Sequence, residues 1–232
     1  MRDKIKDENY FRNFIKENEE RVQRFKNKLE TGQIREDRID DIKEEIIQTR
    51  FKLLIARYSY GSSVEEIKSF YLEIIEDIPS ILRKTTSQVD LLWYLSLGIL
   101  LNVDNDRFKK LSDHIEKIGR KDSLLSFLID YKLNNQIERV DDDIVMKNPY
   151  EKLKEIVNNA DKRESLLQKY IAKDWYKGHK IMAWYDNHKS TENLYFGYWS
   201  FEAGAIAKIL KIDDSNLREM EYYPFDLVHF ED

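Results

Sequence analysis

Apolar residues recur three and four positions apart in the opening segments of this chain, and each run lines one side of a helix. Phe11, Ile15, Asn18, Val22, Phe25 and Leu29 follow a 4-3-4-3-4 spacing, while Ile39, Ile42, Ile46, Thr49, Leu53, Ala56 and Tyr60 follow 3-4-3-4-3-4. Thr31 and Gly32 form a helix stop and turn between the runs. The short break predicts antiparallel neighbours in an αα-hairpin. Asn18 and Thr49 are the polar members of the two stripes and are expected to set their register.

The pattern continues. Ser63 with Glu66 makes a capping box for a third helix, whose stripe is Val64, Ile67, Phe70 or Tyr71, Ile74 and Ile78. Pro79 ends or kinks that helix. Ser87 caps a fourth, which holds the longest uncharged run, Leu91 to Val103. Asp104 caps a fifth carrying Phe108, Leu111, Ile115 and Ile118, stopped by Gly119. Asp122 opens the next helix, which runs through Tyr131, and the polar stretch from Lys132 to Asn148 is the expected long loop. Asn148-Pro149 with Glu151 reads as an N-cap, an N1 proline and an N3 acid, and Asp161 with Glu164 as a capping box for a helix to Tyr176. The last major helix is expected from Tyr198 to Leu210.

No segment alternates apolar and polar residues over five or more positions, so no strand is predicted. The fold class is all-α, an N-terminal antiparallel helical hairpin followed by a helical domain with an aromatic-rich core. The turn at Gly119–Asp122 divides the expected domains into 1–119 and 120–232.

Composition narrows the function. Seven Gly and three Pro in 232 residues leave few turns, and a charged fraction of 36% fits long solvent-facing helices. With no cysteine, disulfide scaffolds and thiolate metal sites are excluded, and the usage is compatible with the cytoplasm, the expected location. The thirteen uncharged residues from Leu91 to Val103 fall short of the roughly 20 that a membrane-spanning helix needs, so no membrane association is expected. MRDKIKDENYF is charged from its second residue, unlike a secretory signal.

The net charge of −5 is unevenly spread. From Ile212 onward seven acids face one base, a net of −6, which leaves 37 acids against 38 bases in the rest of the chain. A direct nucleic-acid binder would carry the opposite field. Asp213, Asp214, Glu219, Glu221 and Asp226, with Tyr222, Tyr223 and Phe225 beside them, combine charge with the aromatics of binding hot spots. They are the candidate partner-binding residues, set against the plainer reading of a capping Asp and solvated acids. A second acidic group, Glu138, Asp141, Asp142 and Asp143, lies in the expected loop.

Catalytic constellations are harder to assemble. Tyr170 to Phe201 holds ten aromatics, among them Trp175, Trp184 and Trp199. A base-stacking platform would lie in a basic groove, so an aromatic core is preferred. His179 and His188 lie near Asp174, Asp186 and Glu202 in sequence, but their spacing matches no metal motif, and no metal or other cofactor is expected. Glu202, set among aromatic and small residues, is either an acid or base with a raised pKa, or a buried carboxylate satisfied by a Trp N–H, a Tyr hydroxyl or a helix N-terminus. With no nucleophile beside it, the structural role is preferred. There is no Gly-rich phosphate loop and no G-x-S-x-G elbow.

The chain's most specific string is GYWSFEAGAIAKIL at Gly197–Leu210, followed by KIDDSNLREMEYYPFDL. It resembles the C-terminal domain of the PoNi family, bacterial immunity proteins that neutralise a partner DNase toxin. MRDKIKDENYFRNFIKENEERV resembles the start of that family's N-terminal domain. ENLYFG at Glu192–Gly197 is similar to a protease recognition site but lacks the glutamine before glycine, and it runs directly into the family-like string, so it is native. The resemblance marks Trp184, His188, Gly197, Tyr198, Trp199, Ser200, Phe201, Glu202 and Pro224 as family signature residues, mainly structural. It implies an immunity protein, not an enzyme, that binds a nuclease toxin of the restriction-endonuclease-like class and touches no nucleic acid itself. A helical scaffold or adaptor and a metal-dependent hydrolase using His179, His188, Asp186 and Glu202 are the alternatives. The sequence admits a homodimer and does not fix the oligomeric state.

Overall fold

In the computed structural model of the protein, which describes residues 1–231, every regular element is helical and no strand occurs among the described residues. The chain forms two compact units, and the first is discontinuous: it comprises Met1–Ile81 together with Asp186–Gly197. Leu82–Tyr185 and Tyr198–Asp232 make the second. The units therefore part between Ile81 and Leu82, whereas the sequence turn at Gly119–Asp122 lies inside the second unit. No helix among the described residues is long and apolar enough to cross a membrane.

In the first unit, α1 (Glu8–Glu30) and α2 (Ile39–Tyr60) pack along each other. Tyr60 reaches Glu8 at one end and Arg21 reaches Glu45 toward the other, so the pair is antiparallel, as the heptads predict. Val22, Ile46 and Leu53 form the seam, with Ile15, Phe25, Leu29, Ile42 and Phe70 packed against it. The polar seam residues are satisfied on their own helices and make no cross-helix bond: Asn18 donates to the Phe14 carbonyl at 2.8 Å and Thr49 to the Glu45 carboxylate at 3.3 Å. A single stripe describes only the first half of α2. From Phe51 onward its buried residues, including Leu54, Ile55 and Tyr58, lie on several sides, so this half is a central helix. α3 (Val64–Ile75) starts at the expected capping box, in which Ser63 and Glu66 bond each other's backbone N–H. Pro79 lies in the first turn of the short α4 (Ile78–Ile81), where its missing N–H costs nothing.

The segment 186–197 is built into this unit through Tyr195, which is fully buried. Its backbone N–H donates to the Tyr10 hydroxyl at 2.8 Å, and that hydroxyl donates back to the Tyr195 carbonyl at 3.0 Å. The Tyr195 hydroxyl donates to the buried Asp3 carboxylate, whose other oxygen accepts from the Ile5 and Lys6 amides. The ENLYFG string is thus part of the fold.

The second unit is organised around α5 (Gln88–Leu100), capped by Ser87 and buried on all sides. A helix apolar all round belongs in a core. It packs against α6 (Asn105–Lys117), α7 (Ser123–Asn134) and the later α11. Asp122 caps α7 through the Leu124 and Leu125 amides, and its second oxygen accepts from Val145 at 2.9 Å. Asn158 bonds both backbone groups of Val140, so the loop 135–146 is tied down at its middle and, through Val145, near its C-terminal end. α8 (Lys147–Asn158) is entered through Asn148, whose φ of −97° and ψ of 121° are extended, as a residue before proline prefers.

α9 (Arg163–Lys169) and α10 (Trp175–Gly178) flank a π-helical turn at Tyr170–Asp174. The capping box expected from Asp161 and Glu164 does not form, because residues 160–162 are a 3-10 turn and Lys162 occupies the N-cap. α11 (Phe201–Leu210) begins three residues later than expected. Ser200 donates its backbone N–H to the Tyr222 carbonyl at 2.7 Å, which ties the chain before α11 to the YYP turn. α12 (Phe225–Val228) follows that turn and packs on α11.

Candidate functional site

Glu202 stands in the first turn of α11, where the helix dipole favours a carboxylate, yet it is only 1% exposed. Four side chains donate to it. Trp93 from α5 gives its indole N–H to Oε2 at 3.0 Å, and Trp175 gives its own to Oε1 at 2.6 Å. Ser200 and Tyr170 add hydroxyl donors to Oε1 at 3.1 and 3.4 Å. Burial nonetheless wins over these bonds and pushes the carboxyl up to about 7. A carboxyl saturated by donors and closed to solvent holds elements together and has no open side for a substrate.

The π turn explains how two donors from one segment reach one oxygen. Tyr170 and Trp175 are five positions apart, and in an ordinary α-helix they would diverge by about 140°. The wider turn, closed by the Trp175 N–H on the Tyr170 carbonyl, brings both rings to the Glu202 side.

Around this centre the aromatic rings form a continuous stack. Trp184 lies 5.7 Å from Trp93 and 5.9 Å from Trp175, both nearly parallel, and Phe201 meets Trp93 edge-on. Tyr198 packs on Trp184 and donates its hydroxyl to the Trp184 carbonyl at 3.1 Å. Tyr176 continues the stack to Tyr222 at 5.3 Å. His179 is fully buried in the same cluster. Its Nδ1–H donates to the Trp175 carbonyl at 2.7 Å, and its Nε2 accepts from the Tyr150 hydroxyl at 3.1 Å. Desolvation drives its pKa down to about 4, so it is neutral at pH 7.

The signature residues mostly serve this interior. Trp199, Tyr198, Ser200 and Phe201 are buried, while Trp184 is half-buried. Gly197 has a φ of 111°, which glycine adopts freely. Pro224 lies against Gly204 of α11: a Cβ at Gly204 would approach the Pro224 Cγ to 2.8 Å. His188 belongs to the first unit, half-buried with its ring edge-on to Tyr195 at 6.2 Å, and burial lowers its pKa. Asp186 pairs with Lys189 at 3.0 Å. Among the described residues no group of three or more His, Asp or Glu is arranged to hold a metal ion.

The acidic segment divides sharply. Asp213, Glu219, Glu221 and Asp226 are exposed and Tyr222 is half-buried. Asp214 is only 3% exposed, with Oδ2 accepting from Tyr223 at 2.5 Å and Oδ1 contacting His229 at 2.8 Å. Tyr223 and Phe225 are buried as well. Asp214, Tyr223 and Phe225 are therefore corrected from contact candidates to internal struts, which fix the segment that displays the other acids. Arg218 lies over the Phe225 ring at 4.4 Å, and Lys208 ties α11 to the carbonyls of Leu100 and Phe230.

Several organising residues escaped the sequence argument: Asp3 and Tyr10 in the first unit, Trp93 and Tyr150 in the second, while Tyr170 and Tyr195 entered it only as members of the aromatic run. Trp93 alone carried a usable signal, as a polar-tipped ring inside an uncharged run, which needs a buried acceptor.

Comparison with known proteins agrees with this architecture. The N-terminal family model of the PoNe immunity proteins (PoNi) matches residues 2–113, and the C-terminal one matches residues 120–227. The crystal structure of protein PA2201 from Pseudomonas aeruginosa is similar in fold, with a TM-score of 0.64 at 18% identity over 82% of this chain and 74% of that one. A search of curated proteins finds no match. Two family models that together take in nearly the whole chain place it in the PoNe immunity protein family, whose function is immunity against a toxin.

Proposed function

We propose that this chain binds a cognate nuclease toxin and blocks its access to DNA, without chemistry of its own. The membership in the immunity family carries this reading. A nuclease must present cations where it grips the phosphate backbone, and a protein that covers that groove gains from carboxylates set at its own surface. Asp213, Glu219, Glu221 and Asp226 are such carboxylates, on a segment whose backbone is fixed by Asp214, Tyr223 and Pro224. Tyr222 adds an aromatic side at the edge of the buried stack. The protein acts where the toxin would reach DNA, in the cytoplasm.

The Glu202 cluster supports a non-enzymatic role because its polar atoms are consumed by one another. Toxin binding is tested with the variant Asp213→Lys, Glu219→Lys, Glu221→Lys, assayed against the cognate nuclease toxin. Association should slow by about tenfold or more at low salt, with the difference shrinking as salt rises, and protection of toxin-expressing cells should fall. A folded variant that associates at the wild-type rate and protects fully would reject this surface. Metal-dependent nuclease or hydrolase turnover by the isolated chain would reject the non-enzymatic reading.

A further inference from the structure

The first unit carries a groove of about 560 Å³ between α1, α2 and α3. Ile15, Tyr60 and Phe70 give it an apolar floor, half-buried and continuous with the hairpin seam. Its rim is one-sided in charge. Glu19, Glu65, Glu66 and Glu73 line it, all exposed, against the lining cation Arg57 and against Arg50, which pairs with Glu73, so the rim stays net acidic. The Arg57 guanidinium is already committed, paired with Glu19 and stacked over the Phe70 ring at 4.4 Å.

We propose that this groove is a docking surface for a basic segment of the toxin, one that sets an apolar side chain on the floor between lysines or arginines. The proposal rests on the reading that the partner is a nuclease, and it adds a contact on the first unit to the acidic segment of the second. The arrangement has an apolar centre and a charged rim, the anatomy of a protein contact. A small-molecule site would instead turn a few buried polar groups inward. The charge says what covers it: a net acidic rim repels an acidic segment and steers a basic one. A nuclease is rich in such segments because each phosphate it grips calls for a cation. The groove is also preformed. The capping box fixes the start of α3, and Arg50 bonds Glu73 and Asp77 at 3.0 and 3.1 Å, so its walls are set before a partner arrives.

The test is the full chain with Glu65→Lys and Ser69→Arg, two exposed α3 positions one turn apart on the groove wall. The change leaves the capping box and the Arg50 and Arg57 pairs in place, and circular dichroism with a melting curve confirms the fold. Against the immobilised cognate nuclease toxin, this variant should associate about tenfold more slowly at low salt and also dissociate faster, because the floor is blocked. Unchanged rate constants in both directions would overturn the proposal. So would a concentration-dependent dimer of the wild-type chain that the variant abolishes, since a second copy would then fill the groove. The C-terminal lysine variant is measured alongside. Loss confined to it upholds the acidic segment and rejects the groove, and loss confined to the α3 variant does the reverse.

Discussion

Glu202 and His179 share one aromatic cluster and are shifted in opposite directions, the carboxyl up to about 7 and the imidazole down to about 4. A raised carboxyl pKa means the unfolded chain loses its proton first. The Glu202 contribution is therefore full below its ordinary value of 4.5 and gone once the pH passes about 7. A lowered imidazole pKa means the unfolded chain gains its proton first. The His179 contribution is full above 6.5 and gone below about 4. The two slopes oppose each other across the overlap. In urea-unfolding midpoints taken across that range, Glu202→Gln should gain stability relative to the wild type as pH rises and His179→Gln should lose it, each difference reaching about 1 kcal/mol per pH unit. Two variants that track the wild type would reject the account. Trp175→Phe removes the shortest bond to Glu202 and should cost about 2–3 kcal/mol, the worth of a hydrogen bond to a charged or charge-prone group. At this scale the sequence was half legible. An acid among aromatics announces buried donors, but the acidic count near the C-terminus could not separate Asp214 from Asp213. One turns inward to a tyrosine and the other outward, and composition is blind to direction.

Helix starts were readable where a side chain makes the cap, as at Ser63, Asp104 and Asp122. They were misread where the backbone bonds elsewhere, as at Ser200, whose N–H belongs to the YYP turn. α11 shows why its small residues matter. Gly204 lies beneath Pro224 and Val228, so Gly204→Ala gains about 1 kcal/mol of helix propensity but forces a contact of 2.8 Å. Overpacking of that kind costs about 1–3 kcal/mol, and a lower melting temperature is expected, with Gly204→Val lower still. An unchanged or raised melting temperature for the alanine variant would mean that α12 moves aside freely. The π turn was invisible in the sequence, since a local extra residue leaves no mark on the pattern of apolar positions. Deleting Lys173 should let the segment close as an ordinary helix with Tyr170 and Trp175 four positions apart, about 40° out of line, so that both rings still face Glu202. Retained near-ultraviolet dichroism would show it, and its loss with an intact helical signal would reject the account.

The whole molecule is where sequence order and spatial order part. The family models divide between 113 and 120, but the compact units divide at Ile81, and the first unit recovers residues 186–197. A fragment of residues 1–119 would hold α5 without α7 and α11, its neighbours in the second unit, and should aggregate or unfold without cooperativity in a calorimetric scan. A sharp transition for that fragment would show that the linear halves fold alone. The helical class and the hairpin were legible because heptads are local. The return of Tyr195 to Tyr10 and Asp3 was not, because nothing local encodes a bond across 185 residues. That return bears on biosynthesis. The first unit to leave the ribosome cannot seal around Tyr195 until the chain through Gly197 has been made, by which point most of the second unit is already available to fold. The protein therefore emerges finished late and all at once, and a nascent chain halted before Tyr195 would expose the Asp3 and Tyr10 side chains that the completed fold hides.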